Sequence, residues 1–542
     1  MAIALEELED RRKDAMRIRD AHWPLLEECY RYAMPYRKGI TQTGPSQKRT
    51  NEIFDEQAII STFRRAGKMA RNISPPGQIA FDLTPGALVN AIATLEEKED
   101  LKRQLEQVRA VTGAHFLTGE WDTALTEICI DLQAGTGCML IDKHKSKLRK
   151  VARFTSVAIE ETYLYSNGYG PVTAVHWPRK WKLRDVKAEW PDSDLGPDLE
   201  KLLTSAPATE FDVNCDTVYD DKREMWFKCE SIRDPQAGDG KYGRKLSEDY
   251  SRTAPWLTPR YNRVPGETYG RGQLMLVMPK VKALNVGMKL NLQAIAIATL
   301  GVYTAIDDGV FNPDNAPIAP GAFLKVARNG GALGPSIARF PDPRIDMTQI
   351  IFKDMRMDIK AGMNDSALPP DAAAVRSAYE IMERLKQLAS DDEAAWGRLV
   401  MEIWVPAVSR VTEIAYDFQQ LPFIPNIDRL LVDMAVSSPL AMAAAAERMT
   451  RLLKWVEIVV ALVAQMAGLR RFVNIEELIM EIATILSVDS RFQTTAEERE
   501  KIDEQEAAVA AAAMAATAAQ QPEAAAQAVE VGSAPVRLGF VA

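Results

Sequence analysis

Four histidines (His22, His115, His144, His176) and five cysteines (Cys29, Cys129, Cys138, Cys215, Cys229) are the side chains of this sequence best suited to bind a metal or begin nucleophilic chemistry. Their spacing works against both. No HxxxH, HExxH or CxxC pattern occurs, so a zinc site would need ligands to converge from distant parts of the chain, and the histidines read as surface or internally hydrogen-bonded residues. The run GTGC at 135–138 lacks the GxxxxGK[ST] pattern that cradles phosphates, and no GxSxG elbow is present. Asp391, Asp392 and Glu393 fall together on a helical stretch and read as a solvated face rather than a magnesium site. No cofactor and no catalytic activity are expected.

The most informative charge pattern lies at 346–364. There Met347, Ile351, Met355, Ile359 and Met363 recur every four residues as an apolar stripe, while Lys353, Arg356 and Lys360 fall within about 60° of one another on the opposite face. Such a helix can pack on one side and offer positive charge to phosphate on the other. The plainer reading is an amphipathic surface helix, because Asp354 and Asp358 sit beside the bases and leave a modest positive field.

Periodicity supplies the elements around this helix. Helical spacing runs over 5–32 and again over 51–73, with Asp55, Arg64 and Arg65 on the polar side of the second helix and a stop before Ser74-Pro75-Pro76-Gly77. Residues 96–107 and 111–133 predict further helices. Between 137 and 256 the texture changes to short β-branched and aromatic runs (CMLID, VARFTSV, ETYLYSNG, VTAVHWP, EMWFKCESI), which predict a mixed α+β domain; the acidic segment 191–200 reads as a surface loop opening a short helix. Helix returns at 271–300 around Pro279. A Gly/Pro-rich module follows at 301–344, with strands expected at VYTAI and AFLKVA, and then the helix at 346–364. A pattern of about 44 residues from 375 to 418 would reach about 65 Å, with a bend at Pro406. Two or three helices fill 439–486, and an alanine-rich low-complexity tail ends the sequence.

At 542 residues and 47% hydrophobic content, the chain can bury a sizeable core in several domains. With 66 Lys plus Arg against 75 Asp plus Glu, a net charge of −9 argues against a surface that grips nucleic acid everywhere. Any DNA contact must be local or slippery. The odd, irregularly spaced cysteines and the charged start MAIALEELEDRRK point to a reducing cytoplasm without a signal peptide. The apolar run 458–469 falls short of the roughly 20 residues needed to span a bilayer, so no membrane segment is expected.

The order of parts and several local runs resemble the portal proteins, or head-to-tail connectors, of short-tailed bacteriophages. The runs are HWPLLEECYRYAMPYR (22–37), NEIFDEQAI (51–59), ISPPGQIAFDL (73–83), TPRYNRVPGETYGRGQLMLVMPKVKALN (258–285), AAVRSAYEIMERL (373–385), WVPAVSRV (404–411) and VSSPLAMAAAAE (436–447). With the order of parts, the likeness extends over about 500 residues. The alanine tail after Glu506 has no match in the family pattern.

The resemblance implies a mainly α fold with α+β parts, a portal-type architecture assembled as a ring around a central channel. Residues 1–259 would be the wing, 260–300 and 346–364 the stem helices, 301–345 the clip, 365–374 a tunnel loop, 375–435 the long kinked helix and its return into the wing, 436–506 the crown, and 507–542 a barrel-like or disordered tail. It further implies a dodecamer at the portal vertex of the virion, assembled in the host cytoplasm. Expected partners are double-stranded DNA, held weakly and without sequence preference, the terminase large subunit, major capsid and scaffolding proteins, and tail adaptor proteins. Lys353, Arg356, Lys360, Asn364, Asp365 and Ser366 would face the DNA; Asn312, Pro313, Asp314, Asn315, Pro317 and Pro320 in the clip would dock the terminase and then the tail. A ring of acidic subunits repels phosphate and keeps DNA mobile, while a few basic residues damp the repulsion. Two rival readings are a cytosolic enzyme using the 137–256 domain and a helical scaffold without DNA contact.

Overall fold

The first helix, α1 (Leu5–Ala33), follows the predicted periodicity, burying Leu8, Ala15, Leu26, Cys29, Tyr30 and Ala33 along one side. The computed structural model describes residues 3–37, 52–144, 149–233, 243–300, 303–305, 337–339, 346–365, 378–436 and 449–458, with scattered helical positions between 482 and 512. Next come α2 (Gln57–Ile73), β1 (Phe81–Pro85), α3 (Ala87–Ile92), α4 (Leu95–Thr118) and α5 (Trp121–Ala134). The mixed region holds β2 (Cys138–Lys143), β3 (Ala152–Val157), β4 (Tyr163–Tyr165), β5 (Ala174–Lys182), α6 (Leu183–Glu189), α7 (Gly196–Ser205), β6 (Glu210–Asp220), β7 (Met225–Ile232), β8 (Arg244–Ser251) and β9 (Trp256–Leu257). Then follow α8 (Gln273–Leu300), β10 (Tyr303–Ala305), β11 (Ile337–Arg339), α9 (Asp346–Gly362), α10 (Ala378–Asp417) and β12 (Val432–Val436).

The fold is mainly α with α+β parts, as the resemblance implied. Strands β4 to β8 form a five-stranded antiparallel meander, and β3-β2-β9 form a second antiparallel sheet. The chain divides into two compact units. The larger, residues 1–80, 111–424 and 436–440, holds both sheets and α8 to α10. Its main core joins Leu26, Tyr30 and Met34 to Leu140, Trp256, Leu274, Val281, Phe352 and Ile359. The smaller unit holds β1, α3, most of α4 and β12; within it Gly86 N–H donates to the Leu431 carbonyl at 2.8 Å and Leu88 N–H to that of Leu430 at 3.0 Å.

Four local expectations need correcting. Helix α2 begins at Gln57 rather than 51, because the Asp55 carboxylate accepts the Gln57 N–H at 3.0 Å and stops the helix from extending backwards. Arg65 is buried rather than on a polar side. The 96–107 and 111–133 helices break elsewhere: α4 runs on to Thr118, burying Leu105, Val108, Thr112, His115 and Phe116 at helical spacing, and the chain turns at Glu120, whose φ is 65°. Strands β6 and β8 were not anticipated by the sequence pattern. Part of VYTAI forms β10, which pairs with β11, whereas AFLKVA lies outside the described residues. Most of the expected 439–486 helices and of the alanine tail also lies outside them.

The described end of α10 is locked into the larger unit by side chains from both directions. Trp404 Nε1 donates to the Ile73 carbonyl at 3.1 Å, and its ring lies 5.4 Å from those of Trp121 and Phe116. Glu402 accepts Arg260 N–H at 3.0 Å, Arg398 donates to the Tyr261 carbonyl, and Arg410 reaches the Ile141 carbonyl at 3.3 Å and Glu413 at 3.0 Å. Glu413 in turn accepts Arg252 N–H at 2.7 Å.

Candidate functional site

Helices α8 and α9 form an antiparallel pair that carries the basic residues singled out above. Leu274, Val277, Met278, Val281 and Leu284 bury one face of α8. Gly287 sits at a close approach of the two helices: a Cβ there would lie 2.7 Å from the Phe352 ring, so a side chain would press on α9. Lys280 bridges to Asp358 at 2.7 Å, and Gln273 Nε2 donates to the Gly362 carbonyl at 2.7 Å.

The apolar stripe of α9 is rotated from the one predicted. Each four-residue step advances a helix by about 400°, so positions four apart drift about 40° per step and cannot hold one face over sixteen residues. The buried side is Phe352, Ile359 and Met363, with Met355 at its edge, and Ile351 is 49% exposed.

Loop and helix elements of the same unit grip this pair. Asn285 exchanges hydrogen bonds with the segment before α2, donating to the Glu52 carbonyl at 2.8 Å and accepting Phe54 N–H at 2.7 Å. Lys282 pairs with Glu28 of α1 at 2.7 Å. Arg356 donates through Nε to Asp55 at 2.8 Å. It is thus held inside the subunit, while Lys353 and Lys360 are exposed.

The end of α9 is closed by Asn364, whose φ of 48° is the left-handed conformation in which asparagine often replaces glycine after a helix. Asp365 N–H returns to the Lys360 carbonyl at 2.9 Å and Asn364 N–H to that of Ala361 at 3.0 Å. The Asp365 carboxylate accepts Ser61 Oγ–H at 2.8 Å, and Arg65 donates to the Met363 carbonyl at 2.6 Å and the Tyr261 hydroxyl at 2.7 Å. The chain therefore enters the 366–377 segment from a firmly held point. Ser366 and the residues expected to form the clip, Asn312, Pro313, Asp314, Asn315, Pro317 and Pro320, lie outside the described residues.

Sequence reasoning missed the residues that do the holding: Asp55, Ser61, Arg65, Tyr261 and Asn285. The run NEIFDEQAI carried the only hint, a charged motif with no helical reason for its acids. Two of the histidines have structural work. His176 is fully buried with Nδ1 2.7 Å from Asp216, and Arg12 joins that carboxylate at 3.2 Å. His115 lies between Gln420 at 2.6 Å and Ala152 N–H at 3.0 Å, and burial lowers its pKa. The GTGC run is a packing turn: Gly135 has φ of 133°, and a Cβ there would lie 2.1 Å from the Gly270 carbonyl oxygen. Among the described residues no group of three or more His, Cys, Asp or Glu is placed to hold a metal, and no helix is long and apolar enough to cross a membrane.

Comparison with known proteins gives one family, described as bacteriophage head to tail connecting protein, which matches residues 5–493. No curated protein matches the chain. Among solved structures, a chain from the neck of an empty GTA particle computed with C6 symmetry is similar at 10% identity, covering 78% of this chain and 93% of its own, with a TM-score of 0.31.

Proposed function

The chain belongs to the bacteriophage head-to-tail connecting protein family, and we propose that it forms the ring through which DNA enters and leaves the capsid. The match over 5–493 carries this reading. In it, the ring sits at one capsid vertex, receives the terminase motor during packaging, and hands the same end to tail adaptor proteins afterwards. ATP hydrolysis belongs to the motor, and the connector supplies shape and charge.

The clip, 301–345, is the proposed docking surface, since a Gly/Pro-rich module between two helices can present loops on a rigid support. Deleting residues 312–320 should abolish motor or tail attachment while leaving the particle ring intact. Unchanged packaging and tail joining in that deletion would remove the clip from the account.

For the DNA path, the proposed contacts are Lys353 and Lys360, with Arg356 on the same face and Asn364, Asp365 and Ser366 at the start of the following loop. Because Arg356 is engaged by Asp55, the discriminating variant is Lys353→Gln with Lys360→Gln, which leaves that ion pair in place. Lost phosphate contacts should weaken DNA retention with a reduced salt dependence. Packaging and retention that match the parent at low and high salt would mean that this face looks away from DNA.

A further inference from the structure

The α8–α9 pair uses only part of its apolar surface. On the face of α8 turned away from its buried side, Leu276, Pro279, Ala283, Val286 and Leu290 are all exposed, at spacings of three, four, three and four. Leu276, Val286 and Leu290 are 69%, 54% and 59% exposed. That alternation is the seam of a coiled coil, and a helix apolar on both faces is suited to burial on both. Helix α9 carries a matching seam opposite Phe352, Ile359 and Met363: Ile350, Asp354, Met357 and Ala361 are exposed, at spacings of four, three and four.

The two seams agree in register. Within one subunit each step along α8 is matched by a step back along α9: Val277 lies over Gly362, Lys280 pairs with Asp358, and Gly287 meets Phe352. At the same heights on the outer faces stand Pro279 with Ala361, Ala283 with Met357, Val286 with Asp354, and Leu290 with Ile350. Cyclic symmetry has no rise along its axis, so neighbouring copies whose helix pair runs parallel to that axis keep these heights. The seams then meet position for position within one or two residues, about 1.5–3 Å of helix rise.

We propose that the outer seam of α8 in one subunit packs against the outer seam of α9 in the next copy of this chain, with Asp354 setting the register. The proposal rests on the ring reading and names the surfaces that would close it. Charge selects this pairing over the alternatives. From 273 to 300 α8 has Lys280, Lys282 and Lys289 and no acid, so two α8 seams would oppose bases. Two α9 seams would bring Asp354 of each copy together. An α8 seam on an α9 seam sets Asp354 opposite Val286, flanked by Lys282 and Lys289 one turn to either side. Lys282 already holds Glu28, whereas the Lys289 ammonium lies over the Phe54 ring at 5.8 Å and is the base placed to reach the next subunit's acid. Contacts between two different patches of one chain close into a ring when the rotation allows.

The test is cross-linking of the full chain carrying Ala283→Cys and Met357→Cys, using a short bis-maleimide and a denaturing gel. The five native cysteines are buried, and burial pushes the thiols of Cys29, Cys138 and Cys229 up to about 12, so they stay silent. The two introduced thiols lie on opposite outer faces of one subunit, so a bridge must join two chains. A ladder of covalent multimers is expected from the pair, none from either single variant, and none from Ala283→Cys with Ile350→Cys, which is about 10 Å out of register. Rings visible by negative stain without a ladder would overturn the seam and leave the ring standing; multimers from Ala283→Cys alone would show α8 meeting α8. Absence of rings in the parent chain would remove the ring reading and the seam together. As a second readout, Asp354→Lys should lose rings while Asp354→Asn keeps them, and equal ring yield from both would remove Asp354 from its role.

Discussion

The end of α10 and the α8–α9 pair are long helical elements of the same unit, and they finish their apolar surfaces in opposite ways. In α10, Leu399, Ile403, Trp404, Val408, Val411 and Ile414 are all buried, and even Arg410 is fully enclosed with its partners supplied by the same chain. In α8, an apolar face as regular as the buried one is left open. The first element is complete in one subunit. The second leaves an apolar face open in a single subunit, and that face is the one on which the proposed contact between copies rests.

The comparison breaks most visibly at Trp404. Trp404→Ala removes a ring packed on Trp121 and Phe116, and should cost about 3–5 kcal/mol, read as a lowered thermal midpoint or loss of soluble chain. A change within experimental error would show that the α10 contact is loose. Next, Arg65→Met leaves the buried Met363 carbonyl without its donor and should cost about 1.5–3 kcal/mol by chemical denaturation. A neutral outcome would mean that the end of α9 is held by Asp365 and Asn364 alone.

Acid should loosen the larger unit through Asp142. Burial raises its pKa, but the Lys228 ammonium and Arg410 outweigh that and hold it well below the usual carboxylate range. A carboxylate depressed on folding adds stability that is fully present above its unfolded value, about 4, and is lost as pH falls through the folded value. The parent should therefore lose thermal stability below about pH 4, and Asp142→Asn should be less stable at pH 7 with a flatter acid limb. A parallel acid limb in the variant would assign the loss to other groups. The smallest effect on the subunit belongs to the open seam: Val286→Glu should change the stability of a single chain by no more than about 0.5 kcal/mol while abolishing multimers. If it destabilises the subunit as Trp404→Ala does, the two regions are not different in kind.

Much of this was legible in the sequence because long helices declare themselves by periodicity. The bounds of α1, α8 and α9 fell within a few residues of expectation. What was hidden has physical causes. Asp55 and Arg65 looked like surface charges because a helical wheel sends charge outward, yet each is drawn inward by partners that only the tertiary fold supplies: Arg356 for Asp55, the Met363 carbonyl for Arg65. Strand β6, EFDVNCDTVYD, begins with the polar–apolar alternation of a half-buried strand but carries the acids of a surface segment, and only the pairing of β5 and β7 with both its edges makes it a central strand. The open seam of α8 was visible only as surplus apolar content, and its exposure required knowing which face α9 had taken.

The central claim, that this chain closes into a ring as a head-to-tail connector, is tested most directly by measuring the particle mass of the purified full chain at micromolar concentration and imaging the same sample in negative stain. The account predicts rings with a central hole and a mass of about twelve times the 60.2 kDa chain. A single 60.2 kDa species without rings would contradict it.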